Sequence, residues 1–394
     1  MISERVKRII PSVTTSLIGK IADMKASGED IIAFNTGEPD FPTPAVVVDT
    51  CAKAMAEGKT KYVNVEGIAP LRQAIADKLW NENSARYLPS QIVVATGAKQ
   101  ALYNAVMAVC DPGDEVILPV PCWVSYVEII KLAQGTPILV ATNADYSLNV
   151  EAIRAAVTPR TKAIIINTPN NPTGAVYSRE DLLRLGSLAV EHGFYVIADE
   201  VYEKLIYDGN EHVCIASLSP EIHDRTVTIN GFSKAFCMTG WRVGYSAAPL
   251  AVSRAISSLQ SHTTSNSTTF IQWACLTALA ECGDELERMR QAFEKRRDLM
   301  KGRLDTIPGI VCTTPGGAFY LMPDVSTYFG KIYEGKKIET SLDFCDFMIS
   351  AGRVAIVPGD AFEMPGTVRF SYSVSEEAIE DGMNRFAEAL KLLQ

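Results

Sequence analysis

Two short runs constrain this chain more than anything else in it: Ala163-Ile164-Ile165-Ile166-Asn167 and Phe194-Tyr195-Val196-Ile197-Ala198. Each is almost wholly apolar and flanked by turn residues. A strand with one face in water alternates apolar and polar side chains. A strand covered on both faces need not, so such runs mark parallel strands lying between two layers of helix. Comparable runs at 92–96, 115–119, 136–140, 226–230 and 243–247 are interleaved with helix-like stretches at 45–57, 68–82 and 123–133 and an apolar helix reaching about Cys110. This alternation predicts an α/β chain with a mostly parallel, doubly wound sheet that binds its ligand at the carboxyl ends of the strands.

The flanks differ in character. A helix from Ser16 to about Ser27 and a short strand at Ile31–Asn35 lead into Thr36–Pro44, a loop made rigid by three prolines and a glycine. Beyond a long charged helix over 285–305 come short strands at 317–322, 353–356 and 367–371, with helices over 341–350 and 375–392. These predict a smaller α+β domain. A chain of 394 residues exceeds what one compact core usually serves, so two subdomains are expected.

Bulk composition narrows the function. A net charge of −9 offers no basic surplus for nucleic acid. No window approaches 18 uninterrupted apolar residues, so no membrane span is expected. The nine cysteines are scattered without a C-x-x-C pair and there are only four histidines, which argues against a disulfide framework or a metal site and for a reducing, cytoplasmic setting.

Chemistry-bearing residues collect at the predicted strand ends. The run 194–198 terminates in Asp199-Glu200-Val201-Tyr202, an acid and a phenol at the mouth of the sheet. An ATPase also ends a strand this way, but the nearest match to its phosphate loop, Lys53 to Thr60, lacks the first glycine and follows a helix. Strand 163–167 runs into Thr168–Gly174, a tight turn carrying Asn171. Strand 92–96 runs into Gly97-Ala98-Lys99, where a helix N-terminus offers free N–H groups to an anion. Trp123 follows strand 115–119 and suits either the core or a stacking platform. Lys234 lies in Gly231–Gly244 among Phe232, Phe236 and Met238. Taken alone it is a solvated lysine; buried, it loses its proton readily and becomes a nucleophilic amine. Ser233 beside it and Arg242 eight residues on suit a phosphate monoester. An amine, an acid, a phenol, an amide, an indole and an anion cradle on one sheet edge are what pyridoxal 5′-phosphate requires.

Asn171-Pro172-Thr173-Gly174, Asp199-x-x-Tyr202 and Ser233-Lys234-x-x-x-Met238-x-Gly240-x-Arg242 resemble the signature of fold-type I, class I pyridoxal-phosphate aminotransferases. The likeness runs from Gly37-Glu38-Pro39-Asp40-Phe41 to Arg369 and is nearest the prokaryotic branch of aspartate and aspartate/prephenate enzymes. It implies that 45–289 form a large cofactor-binding domain, and that 1–44 with 290–394 form the small domain and an N-terminal arm. Lys234 would carry the internal aldimine and move the substrate proton. Asp199 would keep the ring nitrogen protonated. Tyr202 and Asn171 would bond the phenolic oxygen, and Trp123 would stack on the ring. Ser233, Arg242 and the Gly97-Ala98-Lys99 turn would hold the phosphate, joined by Tyr62 from the neighbouring subunit of a homodimer.

The same resemblance implies that Arg369 clamps the substrate α-carboxylate, with Asn171, Trp123 and the Gly37 backbone beside it. The stretch Thr263–Thr269 has no arginine for a distal carboxylate. In this branch a lysine and residues near the N-terminus take that role, which points to Lys99, Thr14 and Ser12. Pro11 to Thr14 would then close on substrate. The implied reaction moves the amino group of aspartate to 2-oxoglutarate by a ping-pong route, with prephenate as an additional substrate. An aminotransferase for alanine or aromatic amino acids, or a β-lyase on the same scaffold, fits the same cofactor residues. A ligand-sensing module of a regulator would need an attached DNA-binding domain, for which residues 1–30 are too short.

Overall fold

A computed structural model describes residues 2–11 and 13–394. Its centre is a seven-stranded sheet of β1 (Ile92–Ala95), β2 (Glu115–Val120), β3 (Thr136–Ala141), β4 (Thr161–Asn167), β5 (Tyr195–Asp199), β6 (Thr226–Gly231) and β7 (Gly244–Ala247), in the order β1-β7-β6-β5-β4-β2-β3. All neighbours are parallel except β7, which runs antiparallel to both β1 and β6. Ile164 and Ile166 face one apolar layer with Leu182 and Leu185, while Ala163 and Ile165 face the other with Leu102 and Val106. Both faces of β4 are therefore dry, which explains why its sequence does not alternate.

Helices cover the sheet on both sides. Among them are α1 (Ala98–Val109), α2 (Ser125–Leu132), α3 (Arg179–His192), α4 (Leu250–Ser261) and α5 (Thr269–Glu281). No helix among the described residues is long and apolar enough to cross a membrane. All nine cysteines are free thiols.

The two ends of the chain share a second core. Ile32–Ala33 pairs in parallel with Val354–Ala355, the Phe34 N–H donates to Ala355 O at 2.8 Å, and the Ser371 N–H donates to Phe34 O at 2.7 Å. Phe34 packs there with Phe370, Phe386 and Ile379. A three-stranded antiparallel sheet holds Tyr320–Leu321, Val368–Ser371 and Val357–Pro358, shorter pieces than the runs at 317–322 and 367–371. The helix expected over 341–350 is α-helical at Ser341–Phe347 and widens to a π turn at Met348–Gly352. The long helix α6 (Gly283–Asp305) joins the cores: Leu286 packs on the apolar layer of α5, whereas Met289, Phe293, Met300 and Leu304 belong to the core of the chain ends.

Candidate active site

The carboxyl ends of β4, β5 and β6, the start of α1 and the loop after Asn35 surround a cleft of about 470 Å³. It lies where the parallel-sheet rule places it. Asp199 closes β5 and is buried; its carboxylate accepts from the Tyr126 hydroxyl at 2.8 Å and from the Val201 N–H at 3.3 Å. Burial pushes this carboxyl up to about 6, against the pull of those two donors. Lys234 follows β6, and its Nζ donates to the Gly37 carbonyl. Burial pushes the amine down to about 8; Glu38 and Asp199 act to raise it, and Arg369 and Arg242 to lower it. Acid and amine thus line one cleft, each displaced toward neutrality by the same loss of water.

Tyr202 sits one turn beyond Asp199, and its hydroxyl is hydrogen-bonded to that of Tyr320 at 2.8 Å. Asn171 is positioned through its N–H, which donates to Asn167 Oδ1 at 2.7 Å, while Asn167 Nδ2 donates to the Asp199 carbonyl at 2.9 Å. Amides at the ends of two adjacent strands are locked to each other in this way.

Arg369 is only 3 % exposed, although a lone arginine on a short strand reads as solvated. Its Nη1 donates to Asn171 Oδ1 at 2.9 Å and its Nη2 to the Asn35 carbonyl at 3.2 Å; Nε has no partner among the described residues. The guanidinium lies 4.4 Å from the Tyr320 ring centroid. No carboxylate among the described residues pairs with it. A buried cation held only by neutral groups is a receptor for an anion from outside.

The anion cradle forms where α1 meets β7. Ala98, Ser233 and Arg242 line the cleft, and the first N–H groups of α1 have no partner within the helix. Gly97 takes φ +85° with the Arg242 guanidinium where a Cβ would go, and a Cβ on Gly244 would overlap the Ala98 backbone nitrogen. Arg242 itself has φ +58° and donates to the Thr239 carbonyl at 2.9 Å. Trp123 and Lys99 stand at the mouth, with the Lys99 ammonium 4.7 Å from the indole centroid. Burial, then Arg242, lowers the Lys99 pKa.

Residues 29–386 match the family described as aminotransferase class I and II. The chain belongs to that family. A protein of Aquifex aeolicus named "Probable aspartate/prephenate aminotransferase" is 44 % identical, the alignment covering 99 % of this chain and 98 % of the relative. A solved aspartate aminotransferase from Rhizobium meliloti superposes with a TM-score of 0.96 at 39 % identity, covering 100 % of both chains. One from Thermus thermophilus, solved with maleate, gives 0.93 at 40 % identity over 99 % of each.

Against this aminotransferase fold, most of the residues singled out from sequence converge. Lys234, Asp199, Tyr202, Asn171, Trp123, Ala98, Lys99, Ser233, Arg242, Gly37 and Arg369 all line the cleft, and Gly97 lies directly beneath Arg242. Tyr62 does not line it: 91 % exposed, it stands away from the cleft of its own chain. Thr14 lies in the helix Val13–Ala26, but its side chain is outside the described residues, as is Ser12 altogether. Sequence reasoning missed Tyr126, Asn167, Asn35 and Tyr320. Tyr126 had a faint signal, one helical turn after Trp123; nothing local distinguished the others.

Proposed function

We propose that this aminotransferase moves the amino group of aspartate to 2-oxoglutarate by a ping-pong route with pyridoxal 5′-phosphate as cofactor. The observation that carries the proposal is Arg369, a buried guanidinium with an unpartnered Nε in the same cleft as Lys234 and Asp199. The donor set fits the cofactor: a carboxylate in the floor, an amine held beside it, and Ser233 and Arg242 at a helix N-terminus for a phosphate. When bound, the cofactor supplies an aldehyde for the amine and a ring that accepts the electron pair left by the departing α-proton.

The residues' parts follow from their surroundings. Lys234, its pKa lowered by burial, would hold the aldehyde and, once freed by substrate, would take and return the α-proton at Nζ. Asp199, anchored by Tyr126 and the Val201 N–H, gives a protonated ring nitrogen its anionic partner. Asn171 Oδ1 is committed to Arg369, so its Nδ2 group is the one left to donate to the cofactor's phenolic oxygen, beside the Tyr202 hydroxyl. Trp123, in the cleft lining, would cover the ring and keep water from it. Arg369 takes the α-carboxylate through its planar fork, a geometry that lysine does not offer. Lys99, with Thr14 and Ser12, takes a second carboxylate. Maleate, a dicarboxylate, accompanies the Thermus thermophilus structure, and prephenate, also a dicarboxylate, is the further substrate named for the Aquifex aeolicus relative. We place the activity in the cytoplasm and divide the chain into a cofactor domain at 45–289 and a small domain of both ends.

Purified protein is expected to be yellow, with a visible band that aspartate bleaches and 2-oxoglutarate restores. If aspartate leaves the band unchanged while alanine or an aromatic amino acid bleaches it, the dicarboxylate assignment is wrong.

A further inference from the structure

Directly behind the cleft lies a buried group of charges that the chemistry above does not use. The turn leaving β5 sends Asp199, Val201 and Tyr202 into the cleft, whereas Glu200 and Glu203 lie outside its lining and are buried. The turn is held by its backbone, with Glu200 N–H donating to Ile229 O and Glu203 N–H to Glu200 O, each at 2.9 Å. Its reverse side chains meet opposite charges. Glu203 receives the Lys78 ammonium and Asn83 Nδ2, the latter at 2.6 Å. His212 Nε2 stands 3.2 Å from Glu200 Oε2 and 4.0 Å from Glu203 Oε2.

We propose that Glu200 and His212 are positioning residues, an ionic bridge that holds Asp199 and Tyr202 in their cofactor-binding arrangement from the far side of the turn. The inference rests on the cofactor reading above.

Charge balance supplies the argument. Two buried carboxylates need two cations, and Lys78 is one. His212 is the other: burial lowers its pKa, but Glu200 and then Glu203 raise it, and the net direction is upward despite the repulsion of Lys78. Burial raises the Glu203 carboxyl, but Lys78 and then His212 outweigh it and hold it down to about 2. Lys204 adds to the positive side of Glu203 while itself pairing with Glu82 at 2.6 Å, and Cys214 and Tyr245 complete the surroundings as neutral groups. The Glu200, Glu203 and His212 ligand atoms lie within 4.8 Å of one another. The Lys78 ammonium and the His212 imidazolium together meet the charge demand that a metal ion would otherwise answer.

Glu200 is also the chain neighbour of Asp199, and its negative charge raises the Asp199 carboxyl. Without the His212 proton that charge is uncompensated. Asp199 is then driven toward its neutral form, which cannot pair with a protonated ring nitrogen, and the turn carrying Tyr202 loses its anchor. Removing both charges, with an amide in each place, restores the balance, since Glu203 and Lys78 still pair, and leaves a neutral hydrogen bond to anchor the turn.

The test uses full-length protein, with and without added pyridoxal 5′-phosphate. Only four histidines are present, so imidazole proton resonances can be assigned by substitution. In cofactor-free wild type, His212 should titrate above 6.5, the ordinary value, and in Glu200→Gln its midpoint should fall by about one unit. His212→Asn should bind the cofactor about tenfold more weakly, a loss of about 1.4 kcal/mol, and the double variant His212→Asn, Glu200→Gln should recover most of that loss. The bridge is refuted if His212 titrates at or below 6.5, if Glu200→Gln leaves its midpoint unmoved, or if the double variant binds as weakly as His212→Asn. If His212→Asn does not fold, the Glu200→Gln titration and the cofactor affinity of the double variant decide. Wild type that fails to take up cofactor at all sinks the cofactor reading instead.

Discussion

Lys234 and Asp199 owe their opposite shifts to one cause, the removal of water from the same cleft. The amine gives up its proton near pH 8 instead of 10.5, and the carboxyl keeps its proton to about 6 instead of 3.8. The signs follow by linkage. Between about 8 and 10.5 the unfolded chain binds more protons at Lys234 than the folded one, so cofactor-free protein gains stability as pH rises through that window. Between 3.8 and about 6 the folded chain binds more at Asp199, and stability falls as pH rises. Lys234→Ala should flatten the upper limb in denaturant midpoints measured against pH, while still binding cofactor and losing turnover by at least about a hundredfold. An unchanged upper limb would mean that burial does not lower the amine's pKa. Arg369 gives a second prediction at this scale. Arg369→Ala strands the Asn171 and Asn35 oxygens and removes the anion receptor, so kcat/KM should fall for every amino donor by about 3 kcal/mol. Lys99→Ala should raise the KM for aspartate far more than that for alanine; equal effects would remove Lys99 from the distal site.

At the scale of elements, the phosphate cradle depends on how closely α1 approaches β7. Gly244 leaves no room for a side chain, because a Cβ there would overlap the Ala98 backbone. Gly244→Ala must push the helix start away, which should cost about 2 kcal/mol of stability and weaken cofactor binding more than substrate binding; thermal unfolding with and without cofactor measures both. The elements themselves were largely legible. Apolar runs at 163–167 and 194–198 announced strands covered on both faces, and their ends announced Asp199 and the turns that carry Asn171 and Tyr202. α5 was illegible for the same reason that β4 was clear: Thr269–Glu281 is apolar on nearly every side, packed on Ala45–Ala56, so no helical periodicity survives. Arg369, Tyr320 and Tyr126 reach the cleft from separate elements, and only the packing of the chain ends against the sheet brings them together. Contacts of that length leave no local pattern, which is why Arg369 reads as solvated until the family likeness or the fold itself places it.

At the scale of the molecule, Tyr62 is the residue whose position one chain does not explain. A tyrosine 91 % exposed, on the loop leading into Glu66-Gly67, is an unusual use of a large aromatic ring. Its exposure fits the expectation that it belongs to the cleft of a second copy, in which case the homodimer would be the functional unit. Tyr62→Phe alone should weaken cofactor phosphate binding without touching Lys234, and Lys234→Ala alone should abolish turnover. Mixed dimers separate the two effects. In a hybrid, the chain carrying Tyr62→Phe keeps its own Lys234 and receives an intact Tyr62 from its Lys234→Ala partner, so one of the two clefts is fully wild type. Hybrids isolated by two affinity tags should therefore show a cofactor affinity, read from turnover against added pyridoxal 5′-phosphate, that matches wild type and not Tyr62→Phe. If the tyrosine instead serves its own chain by folding inward, the only cleft with a lysine also lacks the hydroxyl. The hybrid would then keep the weakened affinity of the Tyr62→Phe homodimer.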